Sequence, residues 1–452
     1  NSNMAMSLVV LFVLVLRVSG GSEGTSLFKT PALEFDIAVF GATPSGIAAA
    51  VAARRQNAAL RVALVEPSRW IGGMMAGGLG CTDKVGSSST GGIAVEFINR
   101  TQAAYPPGRK LPHCTRAFEP HVATNTFHTM LDEAGVHLLL NWTLTDVQQS
   151  NHTLTVLHLQ PPLGPLASVA ASVFIDASYE GDLMANSGVS FTFGRESQSQ
   201  FGEKDAGRQP LQRGCYGFHT AVDPVGRDNH SLPLIWNGSV AGEHESDSKI
   251  MAYNYRLCFT NSTKSALRKE ISKPSDYNTN FWELLRRYMI DSPPTSLSTE
   301  IIKIYAVTDI DDDGGVKADV NAAVFPISTD FVGGSWGYPN GTHQARADII
   351  AQHISYTKGL LWFLRTDSSV PSHIREEMKT WAWCGDEFVD NDHFPFQLYV
   401  REARRMMGAT IVTEADMEAK VLANPNASIA VADYGMDVHP VEIVVDTINT
   451  SE

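Results

Sequence analysis

Between residues 35 and 66 the chain spells a strand, a tight glycine turn, a helix and a second strand that ends in an acid. Residues 35–40 (Phe-Asp-Ile-Ala-Val-Phe) form a short, mostly apolar run of the kind that fills a buried parallel strand. The run stops at Gly41-Ala42-Thr43-Pro44-Ser45-Gly46, and residues 47–53 are Ala-rich and lead into Arg54 and Arg55, cations suited to a helix C-terminus. A second apolar strand, 61–65, ends at Glu66. Each part suits a dinucleotide. Gly41 lets the chain turn out of the strand, and Gly46 lets the helix approach the sheet. The helix N-terminus offers N–H groups to a pyrophosphate, and Glu66 offers a carboxylate to ribose hydroxyls. Thr43 stands where a middle glycine is usual. Pro44 sets φ for the first helical turn but removes one N–H donor, a loss that the Thr43 and Ser45 hydroxyls could partly make good.

A second glycine-rich stretch follows at once, Arg69-Trp70-Ile71-Gly72-Gly73-Met74-Met75-Ala76-Gly77-Gly78-Leu79-Gly80. Its bare backbone can lie along a flat ligand, and its Met and Leu side chains are too apolar for a free surface loop. The rest of the chain must then be a sizeable globular protein. Of its 452 residues 43% are hydrophobic and 19% charged, which excludes a mainly disordered chain. Thirty-five Lys and Arg against 49 Asp and Glu give a net charge of −14, which repels phosphate backbones, so no nucleic-acid partner is expected.

Residues 8–16 are an unbroken apolar run, closed by Arg17 and then by the small residues Val18 and Gly20 at cleavage-site spacing. Nine helical residues span about 14 Å, too short for a bilayer core of about 30 Å, so no membrane span is expected. The length suits a secretory signal peptide over 1–21. No Lys or Arg precedes the run, and a buried N-terminal strand or helix is the alternative. Nine Asn-x-Ser/Thr sites, at Asn99, Asn141, Asn151, Asn229, Asn237, Asn261, Asn340, Asn426 and Asn449, exceed the number expected by chance and favour a secreted or secretory-lumen glycoprotein. The five cysteines have no Cys-x-x-Cys spacing and point to no metal; two disulfides with one spare thiol, or five free thiols, both fit the count.

Further along, 136–147 and 153–159 read as a β-hairpin through Asn151, and 169–175 as another buried strand. From 195 to 310 the chain is polar and sequon-bearing, as in an inserted domain, and 281–288 and 346–364 have helical periodicity. Asp309-Ile310-Asp311-Asp312-Asp313-Gly314 opens like a calcium loop, but Val320 stands at the twelfth position where a bidentate Glu belongs, so an acidic turn is expected. Arg401, Arg404 and Arg405 are expected on a helix, where they, Arg401 among them, could fix an anionic substrate or the electron-rich edge of a cofactor, or simply pair with local carboxylates. Asp437 and His439 offer an acid beside a base, and His439 is the candidate catalytic base.

Several motifs in constant order carry a resemblance. The turn with its Thr-Pro, the Gly72-Gly73-Met74 step, Phe174-Ile175-Asp176-Ala177-Ser178-Tyr179-Glu180-Gly181-Asp182-Leu183 and Gly194-Arg195-Glu196 are similar to those of FAD-dependent oxidoreductases built on the glutathione-reductase-like flavin fold. So are Ala252-Tyr253-Asn254-Tyr255-Arg256-Leu257-Cys258 and Gln397-Leu398-Tyr399-Val400-Arg401-Glu402-Ala403-Arg404-Arg405-Met406. The resemblance runs from about residue 35 to about 441. It implies an α/β fold, a Rossmann-like FAD-binding domain with a β-rich inserted substrate domain, and FAD as cofactor. It places Gly41, Thr43, Pro44 and Gly46 on the pyrophosphate, Glu66 on the ribose, Gly72 and Gly73 beside the flavin, and Asp176 and Gly181 in the strand and turn that close over the cofactor.

The expected division is a leader (1–21), a first FAD part with its hairpin (34–194), a substrate or cap domain (195–310), and a helical return to the FAD domain (311–452). Members of the family continue past the stretch matching 433–441 with a strand and an Ala/Gly-rich helix that complete the flavin site. This sequence shows neither, so an incomplete or shortened member with weak FAD binding is expected. The expected activity is electron transfer between a small organic substrate and the flavin. The rivals are a nicotinamide dehydrogenase, a carbohydrate-active lyase, and a glycoprotein that kept the fold without the chemistry. Oligomeric state is not legible.

Overall fold

The structure is a computed structural model that describes residues 14–17, 32–82, 90–107, 116–209, 217–310, 314–418 and 436–445. In the first part of the chain the elements run β1 (Leu14–Arg17), β2 (Leu33–Phe40), α1 (Pro44–Gln56), β3 (Val62–Glu66), α2 (Gly73–Ala76), α3 (Gly92–Ala103) and α4 (Pro120–Ala134). Then come β4 (His137–Leu140), β5 (Thr143–Ser150), β6 (Thr153–Gln160), β7 (Ala167–Asp176) and α5 (Asp182–Asn186). Among the described residues these strands form one sheet in the order β4-β3-β2-β7-β6-β5, with β1 also along β7. The four strands β4, β3, β2 and β7 are mutually parallel, as strand–helix–strand crossovers require.

The expected crossover is present with its caps. Thr43 is the N-cap of α1 and accepts the Gly46 N–H, Pro44 opens the helix, and Arg54 and Arg55 close it. Gly46, Ile47, Ala50 and Val51 form its buried face, whose small residues let the helix lie close to the sheet. Arg54 Nε donates to the Ala134 carbonyl and so ties α1 to α4. The strand expected over 136–147 is in fact two. Asn141, with φ of 61°, turns the chain between β4, which pairs with β3, and β5, which forms the hairpin with β6. Within the expected leader, β1 runs antiparallel to β7 from Leu14 opposite Asp176 to Arg17 opposite Val173.

The second body contains β8 (Phe191–Thr192), α6 (Gln198–Phe201), β9 (Leu257–Thr260), β10 (Arg268–Lys269), α7 (Glu283–Asp291), β11 (Ile302–Asp309) and β12 (Val316–Ala322). It continues through α8 (His343–Thr366), α9 (Ser372–Thr380), β13 (Ala382–Cys384) and β14 (Arg405–Met406). A five-stranded antiparallel sheet, β10-β13-β9-β12-β11, packs with α7, α8 and α9 around one apolar core. Two expectations need correction. The boundary expected at 310 falls within the β11–β12 hairpin, so residues 314–384 pack largely in this body, although His343 and Arg346 of α8 also reach Leu144 and Asp182 of the first. The arginine segment is not a helix: Arg401 and Arg404 lie in irregular chain, and Arg405 begins β14, which pairs with β8. The reason is that the three side chains serve separate partners, Asp330, Asp182 and Glu196, which one helical face could not reach.

In the calcium-like run, Asp319, one residue before Val320, is a buried residue of β12 bound by Arg256, and 311–313 lie outside the described residues. Among the described residues no helix is long and apolar enough to cross a membrane. The core of the second body hangs on Trp282. It is 2% exposed, lies 5.3 Å from the Tyr356 ring and 5.9 Å from Phe363, and packs over Gly359, where an added Cβ would meet it at 3.0 Å. Trp282→Ala is expected to cost about 3–5 kcal/mol, because a rigid aromatic core closes poorly over a cavity. A denaturant midpoint unchanged from wild type would show that the core collapses around the gap.

Candidate functional site

The end of β2 and the end of β7 meet at the glycine turn. The Ala177 N–H donates to the Phe40 carbonyl at 2.8 Å, and the Thr43 hydroxyl donates to the Ala177 carbonyl at 2.7 Å. Gly41 has φ of 98°, and a Cβ there would meet the Ser178 backbone nitrogen at 2.7 Å; a Cβ on Gly46 would meet the Gly41 oxygen at 1.9 Å. Both glycines are therefore required by packing before any ligand is considered. The Thr43 hydroxyl is spent on Ala177 and on the Gly46 N–H, so it does not replace the donor lost at Pro44. What remains for a pyrophosphate is the Ser45 N–H and the positive end of α1.

Glu66 stands beside this turn. One of its oxygens accepts the Ala42 N–H at 2.7 Å and the other the Ser68 N–H at 2.9 Å. Burial pushes its carboxyl above the usual range, although those bonds work the other way. A carboxylate has about four acceptor positions, so the two in use leave room for ribose hydroxyls. The turn, the helix end and Glu66 thus fit a dinucleotide, and Glu66 is at the same time a structural strut of the turn.

The second glycine stretch is docked on the first, with the Gly72 N–H donating to the Ala42 carbonyl at 2.7 Å. Gly72 and Gly73 have φ of 87° and 48°. Tyr179 covers Gly73 and accepts the Met74 N–H on its hydroxyl at 2.9 Å. Further on, a Cβ at Gly77 would meet Gln397 at 2.3 Å, and one at Gly78 would meet the Arg256 carbonyl oxygen at 2.2 Å. Trp70 stacks on Phe396 with ring centres 5.0 Å apart. Residues 72–78 are therefore roofed by both bodies.

Asp176 turns inward. Its carboxylate accepts the Ser178 N–H and hydroxyl on one oxygen and the Met184 N–H on the other, so it fixes the turn that Gly181 makes with φ of 68°. Its role is to position Tyr179 and its neighbours. Glu180 and Asp182 divide the local charge. Arg346 binds Asp182 through two nitrogens and Arg404 through a third; these outweigh burial and hold the Asp182 carboxyl low. Glu180 accepts the Tyr338 hydroxyl at 2.9 Å, but burial and the nearby Asp182 outweigh this bond and Arg346 and push its carboxyl up to about 7.

The structure brings Arg401 and His439 into one cluster through Asp330, an acid that no local pattern distinguishes in the sequence. His439 Nδ1 lies 2.5 Å from one Asp330 oxygen and Arg401 lies 3.3 Å from the other. His439 Nε2 lies 3.1 Å from Asp437. Burial and Arg401 oppose the imidazolium, but the two carboxylates, Asp330 above all, prevail and raise the His439 pKa above its ordinary value. Asp330 and Asp437 are held low in return, against burial, by that imidazolium and by Arg401. Both ring nitrogens of His439 thus face carboxylates. Residues 252–254 connect the clusters: Arg401 donates to the Ala252 carbonyl and to Asn254, and the Tyr253 ring packs edge-on against Tyr338, 5.5 Å away.

A third cluster joins the bodies. Lys317, buried in β12, reaches Glu119 at 2.5 Å, Asp386 at 2.7 Å and Glu387 at 2.8 Å, and His121 also binds Glu387. Glu119, His121, Asp386 and Glu387 lie close enough together to resemble a metal cage, yet the Lys317 ammonium already supplies the cation there.

These features define a two-body α/β protein with a dinucleotide turn and a roofed glycine loop between the bodies. The family described as FAD dependent oxidoreductase matches residues 36–450, and the chain belongs to that family. FAD is its cofactor. No curated protein matches the chain. Among solved structures, a THI4 protein from Thermovibrio ammonificans is 21% identical with a TM-score of 0.27, over 36% of this chain and 67% of that one. An L-amino acid deaminase from Proteus vulgaris is 14% identical with a TM-score of 0.25, over 39% of this chain and 54% of that one. A geranylgeranyl bacteriochlorophyll reductase-like protein from Thermoplasma acidophilum is 17% identical with a TM-score of 0.25, over 35% and 43%. The match spans about two thirds of the first of these chains and about half of the other two.

Two measurements follow from the site. Glu66→Gln keeps one acceptor but turns an N–H donor toward a backbone N–H. It is expected to destabilise the apoprotein by about 1–2 kcal/mol and to weaken FAD binding at least about tenfold. Unchanged affinity in a flavin titration would place the adenosine elsewhere. For Glu180, the folded-state carboxyl at about 7 lies above the ordinary 4.5. Its contribution to stability is complete below about 4.5 and is lost as the pH rises through 7, by about 1–3 kcal/mol. Glu180→Gln should flatten the stability profile between those limits, and an unaltered slope in pH-dependent unfolding would show that Glu180 does not titrate there.

Proposed function

We propose that this chain is a secretory-pathway flavoenzyme that oxidises a small organic substrate. The observation that carries the reading is the roof over residues 72–78. Tyr179, Arg256, Phe396 and Gln397 close on the glycine loop from both bodies, so its backbone is buried between them and is not open to a macromolecular partner. Bound FAD supplies a two-electron acceptor. The turn at Gly41, Thr43, Pro44 and Gly46 and the carboxylate of Glu66 hold its adenosine and pyrophosphate half. Gly72 and Gly73 lie along the other half, and Tyr179 fixes them by accepting the Met74 N–H. Arg401 and His439, paired with Asp330 and Asp437, form a polar cluster beside Asn254 that suits orientation of a polar group on the substrate. Glu180, hydrogen-bonded to Tyr338 and pushed up to about 7 by burial, is a carboxyl that can be protonated near neutrality.

The secretory reading rests on the sequons. Of the nine, Asn426 and Asn449 lie outside the described residues. Asn99, Asn141, Asn151, Asn229, Asn237 and Asn340 are exposed, where a glycan can be carried. Asn261 is half-buried and its side chain accepts the Val316 N–H, so it is the one disfavoured. One observation favours a second reading, a glycoprotein without the chemistry: both nitrogens of His439 are engaged.

Purified from a eukaryotic secretion host, the protein should show flavin absorption near roughly 370 and 450 nm. It should also lose mass on peptide N-glycosidase treatment, with Asn261 unmodified. A folded, colourless protein would favour the second reading, and a glycan-free secreted product would remove the case for the secretory pathway.

A further inference from the structure

Strands β9 and β13 are antiparallel neighbours, with Ala382 opposite Thr260 and Trp383 opposite Phe259. One step along the same register sets Cys384 opposite Cys258. Residues directly opposed in antiparallel strands point to one face with Cα atoms about 4.5–5.5 Å apart, inside the range of about 4.4–6.8 Å that a disulfide bridges. Cys258 is 5% exposed and Cys384 is fully buried. Their sulfurs approach to 2.7 Å, and Phe388 and Phe396 enclose them. Both are free thiols in this structure, whereas Cys81 is disulfide-bonded, so one part of the chain is already in its oxidised form.

We propose that Cys258 and Cys384 are a modification site, a pair that oxidises to a cross-strand disulfide fastening β9 to β13. The oxidant is a second disulfide, R–S–S–R, of the glutathione or protein-disulfide class. The Cys258 thiolate attacks it, a Cys258–S–S–R bond forms as the R–S–S–R bond breaks, and the first RS⁻ leaves, giving a mixed disulfide. The Cys384 thiolate then attacks the Cys258 sulfur, the new S–S bond forms, and the second RS⁻ leaves. Two electrons pass to R–S–S–R, and the two protons lost by the cysteines end on the two departing thiols.

Burial pushes both thiols above their ordinary range, although Lys317 pulls the other way. The exchange therefore belongs to the stage before the strands pack, after which the aromatic cover shields the bond. Its place in the fold gives it consequence. The chain leaves β13 directly into Asp386 and Glu387, and Glu387 accepts the His121 N–H at 3.0 Å and binds Lys317. The disulfide would pin the root of the turn that joins the second body to α4, and it would close a loop of 126 residues in the unfolded chain.

The test is a disulfide map of the full-length protein, purified without reductant and then equilibrated with glutathione disulfide during refolding. The proposal expects one proteolytic peptide pair that joins Cys258 to Cys384 and separates on reduction with a gain of two hydrogens. In Cys258→Ser, Cys384 should become open to alkylation after unfolding while Cys81 stays protected. The map of the unsubstituted protein decides the matter even if the variant does not fold. Alkylation of both cysteines in the unfolded, oxidised protein would overturn the proposal, and so would their recovery in pairs with other cysteines. Because refolding with glutathione disulfide is done in vitro, either result stands whether or not the chain is secreted.

Discussion

Two hydrogen bonds carry much of the first body. The Ala177 N–H reaches the Phe40 carbonyl, and the Ala177 carbonyl takes the Thr43 hydroxyl, so the tips of β2 and β7 and the start of α1 are one joint. No side chain can enter it, since Gly41 and Gly46 have no space for a Cβ. The Gly72 N–H on Ala42 and the Glu66 carboxylate on the same residue attach the second glycine loop and β3 to that joint. A cofactor laid across it therefore meets donors whose positions were set by folding, which is what lowers the cost of ordering at binding.

The second body is coupled to this joint by buried charge. Lys317 with Glu119 and Glu387, Arg256 with Asp319, and Arg346 with Asp182 each cross from one body to the other or brace a residue that does. Asp319 also accepts the Gly80 and Cys81 N–H groups, so the exit of the glycine loop is held by a strand of the second sheet. Such pairs add little net stability over apolar packing, but losing one partner leaves an uncompensated charge. Their effect is to make one relative placement of the bodies far better than its neighbours, and residues 72–80 lie where that placement matters.

The fold was legible where its determinants are local. The period of residues 35–66, the hairpin through Asn151 and the stripe of α8 are all set by neighbours in sequence. What could not be read is set by distant partners. Nothing near Asn141 announces the left-handed turn that ends β4, and nothing near 310 says that β11 and β12 pair. The arginine run has helical spacing, but Asp330, Asp182 and Glu196, each far off in sequence, pull it straight. Tyr179 and Glu180 lay inside a motif singled out for its aspartates, so the signal was present and the emphasis misplaced.

The same distinction explains the candidate site. Glu66 was legible because its partner is the turn that it follows, and it keeps that role with a structural one added. His439 was legible only as a type of residue. An imidazole beside an acid reads as a base with its orienting carboxylate, and that reading needs one nitrogen left open. Asp330 takes the first nitrogen and Asp437 the second, and Asp330 also lies beside Arg401. Both ring nitrogens of His439 thus face carboxylates, which favours its protonated form beside Arg401. Glu180 shows the opposite balance: burial and the nearby Asp182 push its carboxyl up to about 7, while Tyr338 holds it in place.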